Sequence, residues 1–232
     1  MVIQTMSNDK RVTIYYNEKN ESEKLPVIIM HIYQEDSGGI WNKTNKLTKK
    51  EFILVTISNI NWNKEMTPWY MKTNWKQEDT YDGKADEYIQ LLTTKIVPKI
   101  ASIIENEINK QVERYIIAGY SLAGLFSVYS LYKTNLFTDA ICCSGSLWYP
   151  NIQEFIENHD FMKLPNKIYF SLGDKESKTK NELLATVEEK TIIIDQYFKK
   201  KNIKTKFELN EGNHFQNIEE RIAKGIAWIL NT

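Results

Sequence analysis

The chain is poor in cysteine and histidine and has no excess of either charge. Its 232 residues include two cysteines, three histidines, and 30 basic side chains against 30 acidic ones. Cys142 and Cys143 are adjacent inside an apolar run. Neighbouring strand residues point to opposite faces, so the pair is badly placed to bridge. They read as two small buried hydrophobes. No disulfide framework and no metal-ligand spacing is present. The balanced charge gives no reason to expect nucleic acid or an anionic membrane as a partner. No apolar run approaches the ~20 residues of a membrane helix. Residues 1–11 are polar and lack the apolar core of a secretory leader. The expected location is the cytoplasm.

Against these absences stand 42% hydrophobic and 26% charged residues, the balance of a globular domain with a substantial core. The length suits one α/β domain over residues 1–232. Residues 11–16 alternate like a half-buried strand. Continuous apolar runs at 25–33 and 52–57 read as central parallel strands. Further strands are expected at 115–119, 137–143, 167–172 and 203–209. Helices are expected at 81–109, where Pro98 should kink or break the run, at 125–132 (amphipathic), at 181–200 and at 215–230. Strand–helix alternation implies a mostly parallel sheet with helices on both faces. Ligands of such sheets bind beyond the carboxyl ends of the strands.

The chemistry concentrates in Gly119-Tyr120-Ser121-Leu122-Ala123-Gly124. A β-prone segment enters a small-residue turn around one serine, and a helix-prone segment leaves it. That is the layout of a nucleophile elbow, which exposes the serine oxygen at the apex of a strand–helix turn. Tightness demands small residues two positions before and after the serine, met here by Gly119 and Ala123. The usual pattern closes with glycine, which stands one step later at Gly124. Serine needs a base within hydrogen-bond reach. His214 follows the last strand, after the turn-forming Gly212-Asn213, and should open the final helix. His31 lies inside a strand and His159 in a polar segment. An acid that holds the imidazole in one tautomer is expected after the strand at 167–172, where Asp174 and Glu176 compete. Oxyanion donors are backbone N–H groups: Leu122, and one near Tyr33 or Gln34, with Gly38 and Gly39 as turn formers. Trp62, Trp69, Tyr70, Trp75 and Tyr81 crowd one loop, and Trp148 and Tyr149 another. Trp69, Trp148 and Tyr120 are the candidate substrate-binding side chains. Ser144 and Ser146 lack an elbow turn.

The elbow, continued by Leu125-Phe126, resembles the G-H-S-L-G-G-L-F of esterases related to enterochelin esterase and other siderophore-trilactone hydrolases. Ser144-Gly145-Ser146-Leu147-Trp148-Tyr149 resembles their S-P-S-L-W-W. The run from Tyr81 to Tyr88 resembles their G-G-A-D-x-F, Val97-Pro98 their I-P, and Thr67-Pro68 their T-P. The resemblance extends from about the second core strand to the C-terminus. It implies an α/β-hydrolase fold with a small lid or none. It also implies a serine carboxylesterase mechanism that uses no metal or other cofactor, on a small-molecule ester that is siderophore-like or otherwise small. Its G-x-x-E or G-x-x-D frame puts the acid at Glu176, with Asp174 second. Two departures stand out: Tyr120 replaces histidine before the serine, and Trp62-Asn63 stand where the siderophore branch often carries arginine. The same residues would also serve an acyltransferase or thioesterase. A non-catalytic binding protein of hydrolase fold is the third reading.

Overall fold

The computed structural model describes residues 1–33, 37–73 and 80–232. Eight strands form one sheet in the order β1-β2-β4-β3-β7-β8-β9-β10, and a small hairpin of β5 and β6 stands apart. The strands are β1 (Val2–Ser7), β2 (Lys10–Tyr15), β3 (Lys24–His31), β4 (Ile53–Ser58), β5 (Tyr70–Lys72), β6 (Thr80–Asp82), β7 (Gln111–Tyr120), β8 (Phe137–Cys143), β9 (Lys167–Gly173) and β10 (Lys204–Asn210). From β4 to β10 every pairing in the large sheet is parallel, whereas β1–β2 and β2–β4 are antiparallel. The helices are α1 (Gly38–Leu47), α2 (Trp62–Glu65), α3 (Ala85–Leu91), α4 (Val97–Asn106), α5 (Leu122–Lys133), α6 (Ile152–Asn158), α7 (Glu182–Ala185), α8 (Val187–Lys200) and α9 (Ile218–Asn231). Among the described residues, no helix is long and apolar enough to cross a membrane.

Alternation along the central strands divides the core into two layers. Val27, Ile29, Ile117 and Cys142 pack with α3, α4, α5 and α8. Ile28, Met30, Ile116 and Cys143 pack with α1 and α9. The two cysteines thus face opposite layers, both buried and unbridged.

Four expectations need correction. Residues 122–132 are buried on all sides, so α5 is not amphipathic; a helix apolar all round belongs in an interior. Gly38 and Gly39 open α1 rather than form a turn. The run at 81–109 is not one regular helix: Tyr81 and Asp82 belong to β6, the helix begins at Ala85, and beside Pro98 α3 passes into α4 through a π turn at Leu92–Ile96, where the Val97 N–H bonds to Leu92 O five residues back. Widening the helix there relieves the clash of the Pro98 ring with a preceding carbonyl. The final helix begins at Ile218, so His214 lies within a loop.

The elbow depends on close approach. A Cβ added at Gly119 would sit 2.1 Å from Ala123 O and 2.7 Å from Ala123 Cβ. Methyl is therefore tolerated at 123 because hydrogen occupies 119. Gly119→Ala should destabilise by about 2–3 kcal/mol, the cost of overpacking against backbone. Urea unfolding measures it, and a stability equal to wild type would show that the turn has slack.

Candidate active site

Ser121 sits where β7 meets α5, with φ 59° and ψ −124°. This region is sparsely populated by non-glycine residues and costs about 1–3 kcal/mol unless neighbours enforce it. Neighbours do: Ser121 N–H donates to Cys143 O (3.1 Å), and Ser121 O accepts from Ser146, Gly124 and Leu125 N–H (3.0, 3.0 and 3.1 Å). The hydroxyl is thereby held at the carboxyl edge of the sheet.

The loops after β9 and β10 converge on it. His214 Nε2 lies 3.0 Å from Ser121 Oγ. His214 Nδ1 lies 2.7 Å from Glu176 Oε2. Of the two candidate acids, Glu176 thus faces the imidazole. Asp174 Oδ1 instead accepts from the Gly212 N–H (2.8 Å). The β10–α9 loop is braced by its own side chains: Asn213 Oδ1 accepts from Phe215 N–H and Gln216 Oε1 from Asn213 N–H.

Glu176 is 4% exposed at its side chain. Burial pushes its carboxyl up, but hydrogen bonds from His214, Ser144 and the Gly173 amide outweigh that and hold it below the usual range. The Oε1 oxygen accepts from Ser144 Oγ (2.7 Å), Gly173 N–H (2.7 Å) and Arg221 Nη1 (2.8 Å). Arg221 has no place among the residues singled out from sequence. It is 1% exposed, on α9. Besides Glu176, its Nη1 reaches Ser144 Oγ (3.0 Å) and Tyr120 Oη (3.1 Å), and its Nη2 reaches the carbonyls of Asn213 (3.1 Å) and Glu211 (3.2 Å). The readable signal was its place four residues before Gly225, on the buried side of a helix.

Leu122 opens α5 ahead of the first intrahelical bonds, which Gly124 and Leu125 N–H make to Ser121 O. First-turn N–H groups have no partner within their own helix, and the helix dipole makes that end favourable to negative charge. Tyr33 shares a cleft with Ser121. Gln34 and Trp75 lie outside the described residues.

Two clefts meet at Ser121 and His214. One, of about 420 Å³, is walled by Tyr81, Trp148, Leu184, Val187 and Lys175. The other, of about 670 Å³, is walled by Tyr33, Trp62, Tyr120, Ile40 and Lys43. Phe215, 83% exposed, borders both. Trp148 lines the first cleft, beside Ser121. Tyr120 forms cleft wall, but its hydroxyl donates to His214 O (2.8 Å) and accepts from Arg221; burial pushes its phenol up to about 12. Trp69 requires correction. It lines neither of these clefts; its indole donates to Pro150 O and packs on Tyr129, Tyr149 and Phe155. Trp69 thus packs against α5 and α6 instead of facing Ser121.

The other histidines lie apart. His159 is exposed, with Nδ1 at 2.9 Å from Phe155 O. His31 is fully buried, edge-on to Tyr88 and Phe126, and neither ring nitrogen has a hydrogen-bond partner among the described residues. Burial, aided by the nearby Lys10 charge, lowers its pKa to about 3. The unfolded chain takes up this proton near pH 6.5 and the folded chain only near 3, so stability falls as pH drops through that window. The slope approaches ~1.4 kcal/mol per pH unit once the unfolded histidine is fully protonated, and the loss between pH 6.5 and 4.5 is about 2 kcal/mol. Urea unfolding across pH checks it: His31→Met should flatten this slope, and an unchanged slope would refute the assignment.

Residues 3–219 match the family described as "Putative esterase". An uncharacterized protein, YbbA, of Bacillus subtilis is 23% identical over 207 residues, spanning 84% of this chain and 80% of its own. Among solved structures, an IroE-like serine hydrolase from Shewanella oneidensis superposes with a TM-score of 0.77 at 17% identity, over 96% of this chain and 76% of that one. The siderophore hydrolase EstA from Aspergillus nidulans superposes with a TM-score of 0.72 at 16% identity, over 100% and 94%. The fold is that of the α/β-hydrolases.

Proposed function

The chain belongs to this family of esterases, and from that premise we propose that it hydrolyses small carboxylic esters through an acyl-enzyme on Ser121. The observation that carries the reading is the hydrogen-bonded series Ser121 Oγ, His214 Nε2, His214 Nδ1, Glu176 Oε2, with separations of 3.0 and 2.7 Å. Ser121 Oγ attacks the ester carbonyl carbon as His214 Nε2 takes its proton. Glu176 holds the imidazole in the tautomer that accepts at Nε2, and steadies the imidazolium. Leu122 N–H and an amide at Tyr33 or Gln34 receive the oxyanion. Collapse expels the alcohol, which leaves with the proton held by His214. A water then attacks the acyl carbon with His214 again as base, and the carboxylic acid departs.

The two clefts give the acyl and alcohol halves separate room beside Ser121. The likeness to a siderophore hydrolase supports a siderophore-like or similar small ester. The uncharged Trp62-Asn63 pair favours a less anionic one. The mechanism calls on no cofactor, and the reading places the enzyme in the cytoplasm, away from membranes and nucleic acid. A p-nitrophenyl ester series on purified protein, with a competing alcohol, tests it. Release of free carboxylic acid is expected. Esters of the added alcohol would indicate acyl transfer, and inertness toward every member would contradict the esterase reading.

A further inference from the structure

We infer that Arg221 is a positioning residue for the reaction proposed above, and the inference rests on that reading: one buried guanidinium fixes the unreactive oxygen of Glu176 and ties down the loop that carries His214. The geometry has two parts. Glu176 Oε1 takes three donors, from Arg221, Ser144 and the Gly173 amide, which leaves Oε2 alone to face His214. The Nη2 atom meanwhile holds the carbonyls of Glu211 and Asn213, the latter one residue before His214. Tyr120, one residue before Ser121, joins the same network: its hydroxyl accepts from Arg221 and donates to His214 O. Thus the segments bearing the nucleophile, the base and the acid all reach one cation.

The sequence supports this placement. A Cβ added at Gly225, one turn after Arg221, would come within 2.7 Å of Tyr169 and 2.8 Å of Ile141. Glycine there lets α9 lie against β8 and β9 and sets the depth at which the guanidinium enters. A Cβ at Gly173 would lie 2.2 Å from Gly212 O and 2.6 Å from Arg221 Nη2, so hydrogen at 173 lets the acid and base loops close around the cation. A buried arginine is costly unless its donors find acceptors; both Nη atoms of Arg221 find them, whereas Nε has none among the described residues. The planar fork supplies several fixed directions at once, which an ammonium cannot.

The rate of fluorophosphonate modification of Ser121, resolved into a binding constant and a maximal rate, tests the inference. Arg221→Met should lower the maximal rate on the order of 10²-fold, the scale of a misplaced catalytic group, with binding unchanged. Arg221→Lys should recover part of that loss. In a Glu176→Gln background, Arg221→Met should cost about tenfold or less, because the share of its effect that runs through Glu176 is already lost while the tie to Glu211 and Asn213 remains. A natively folded Arg221→Met protein reacting at the wild-type maximal rate overturns the inference, as do losses that multiply in the double variant. Where Arg221→Met does not fold, Arg221→Lys and the double variant, which buries no unpaired charge, decide: a wild-type rate in the first or multiplied losses in the second overturns it. Wild-type protein that never reacts at Ser121 overturns the esterase reading and this inference with it; the other contrary results overturn the inference alone.

Discussion

Ser121→Ala should lower ester turnover by roughly 10⁴–10⁶-fold in kcat, the loss seen when a serine hydrolase loses its nucleophile. The structure gives this substitution an unusually clean interpretation. The turn at 121 is held by backbone bonds to Cys143, Ser146, Gly124 and Leu125, none of which involves the hydroxyl. Alanine should therefore preserve the elbow while removing the attacking oxygen. Circular dichroism and urea unfolding should match wild type as turnover disappears. Retained turnover in a clean preparation would move the chemistry elsewhere, and Ser144, with its hydroxyl engaged by Glu176 and Arg221, is poorly placed to inherit it.

The second large effect separates the two acidic side chains of the β9 loop. Glu176→Gln should lower kcat by about 10³–10⁴-fold. Three donors converge on Oε1, so the amide oxygen of glutamine takes that place and its NH₂ turns toward His214 Nδ1. The imidazole must then accept at Nδ1 and carry its proton on Nε2, which cannot receive one from Ser121. The variant also leaves Arg221 without a counter-charge, a stability cost of about 3–5 kcal/mol for breaking a buried pair. Asp174→Asn keeps an oxygen for the Gly212 N–H and should change kcat less than about twofold, as do substitutions that preserve their contacts. Steady-state kinetics on both variants measures the contrast. Equal losses, or a larger loss at 174, would reverse the assignment of the acid.

Much of this was legible in the chain because the constraints are local. An elbow needs small residues at fixed offsets, so Gly119 and Ala123 announce it. Parallel core strands are continuous apolar runs, so β8 was readable to the residue and β3 and β4 with ends within two residues. The order serine, acid, histidine follows from strand order, which brings three distant loops to one edge. What escaped depends on tertiary context. The edge strand β1 exposes Val2 and Met6, so it carries little of the hydrophobic signal that marks core strands. The first helix starts with two glycines and continues with Asn and Thr, poor helix formers; Ile40 and Thr44 are buried within it, and packing overrides propensity. In α9, the place of Arg221 four residues before Gly225 marks a helix face, but the acceptors that the guanidinium meets there do not show in the sequence. Only the arrival of Glu176, Ser144 and two loop carbonyls at that point makes its burial favourable. Asp174 and Glu176 had the same claim by position, and the direction each side chain takes, toward Gly212 or toward His214, depends on contacts between loops that are far apart in sequence.

The most direct test of the account is the reaction of folded protein with a fluorophosphonate, read by peptide mass spectrometry. The arrangement of Ser121 beside His214 predicts one phosphonyl group per chain on Ser121, absent after urea unfolding and absent in Ser121→Ala. An unmodified folded chain, or a label on Ser144 or Ser146 instead, would contradict it.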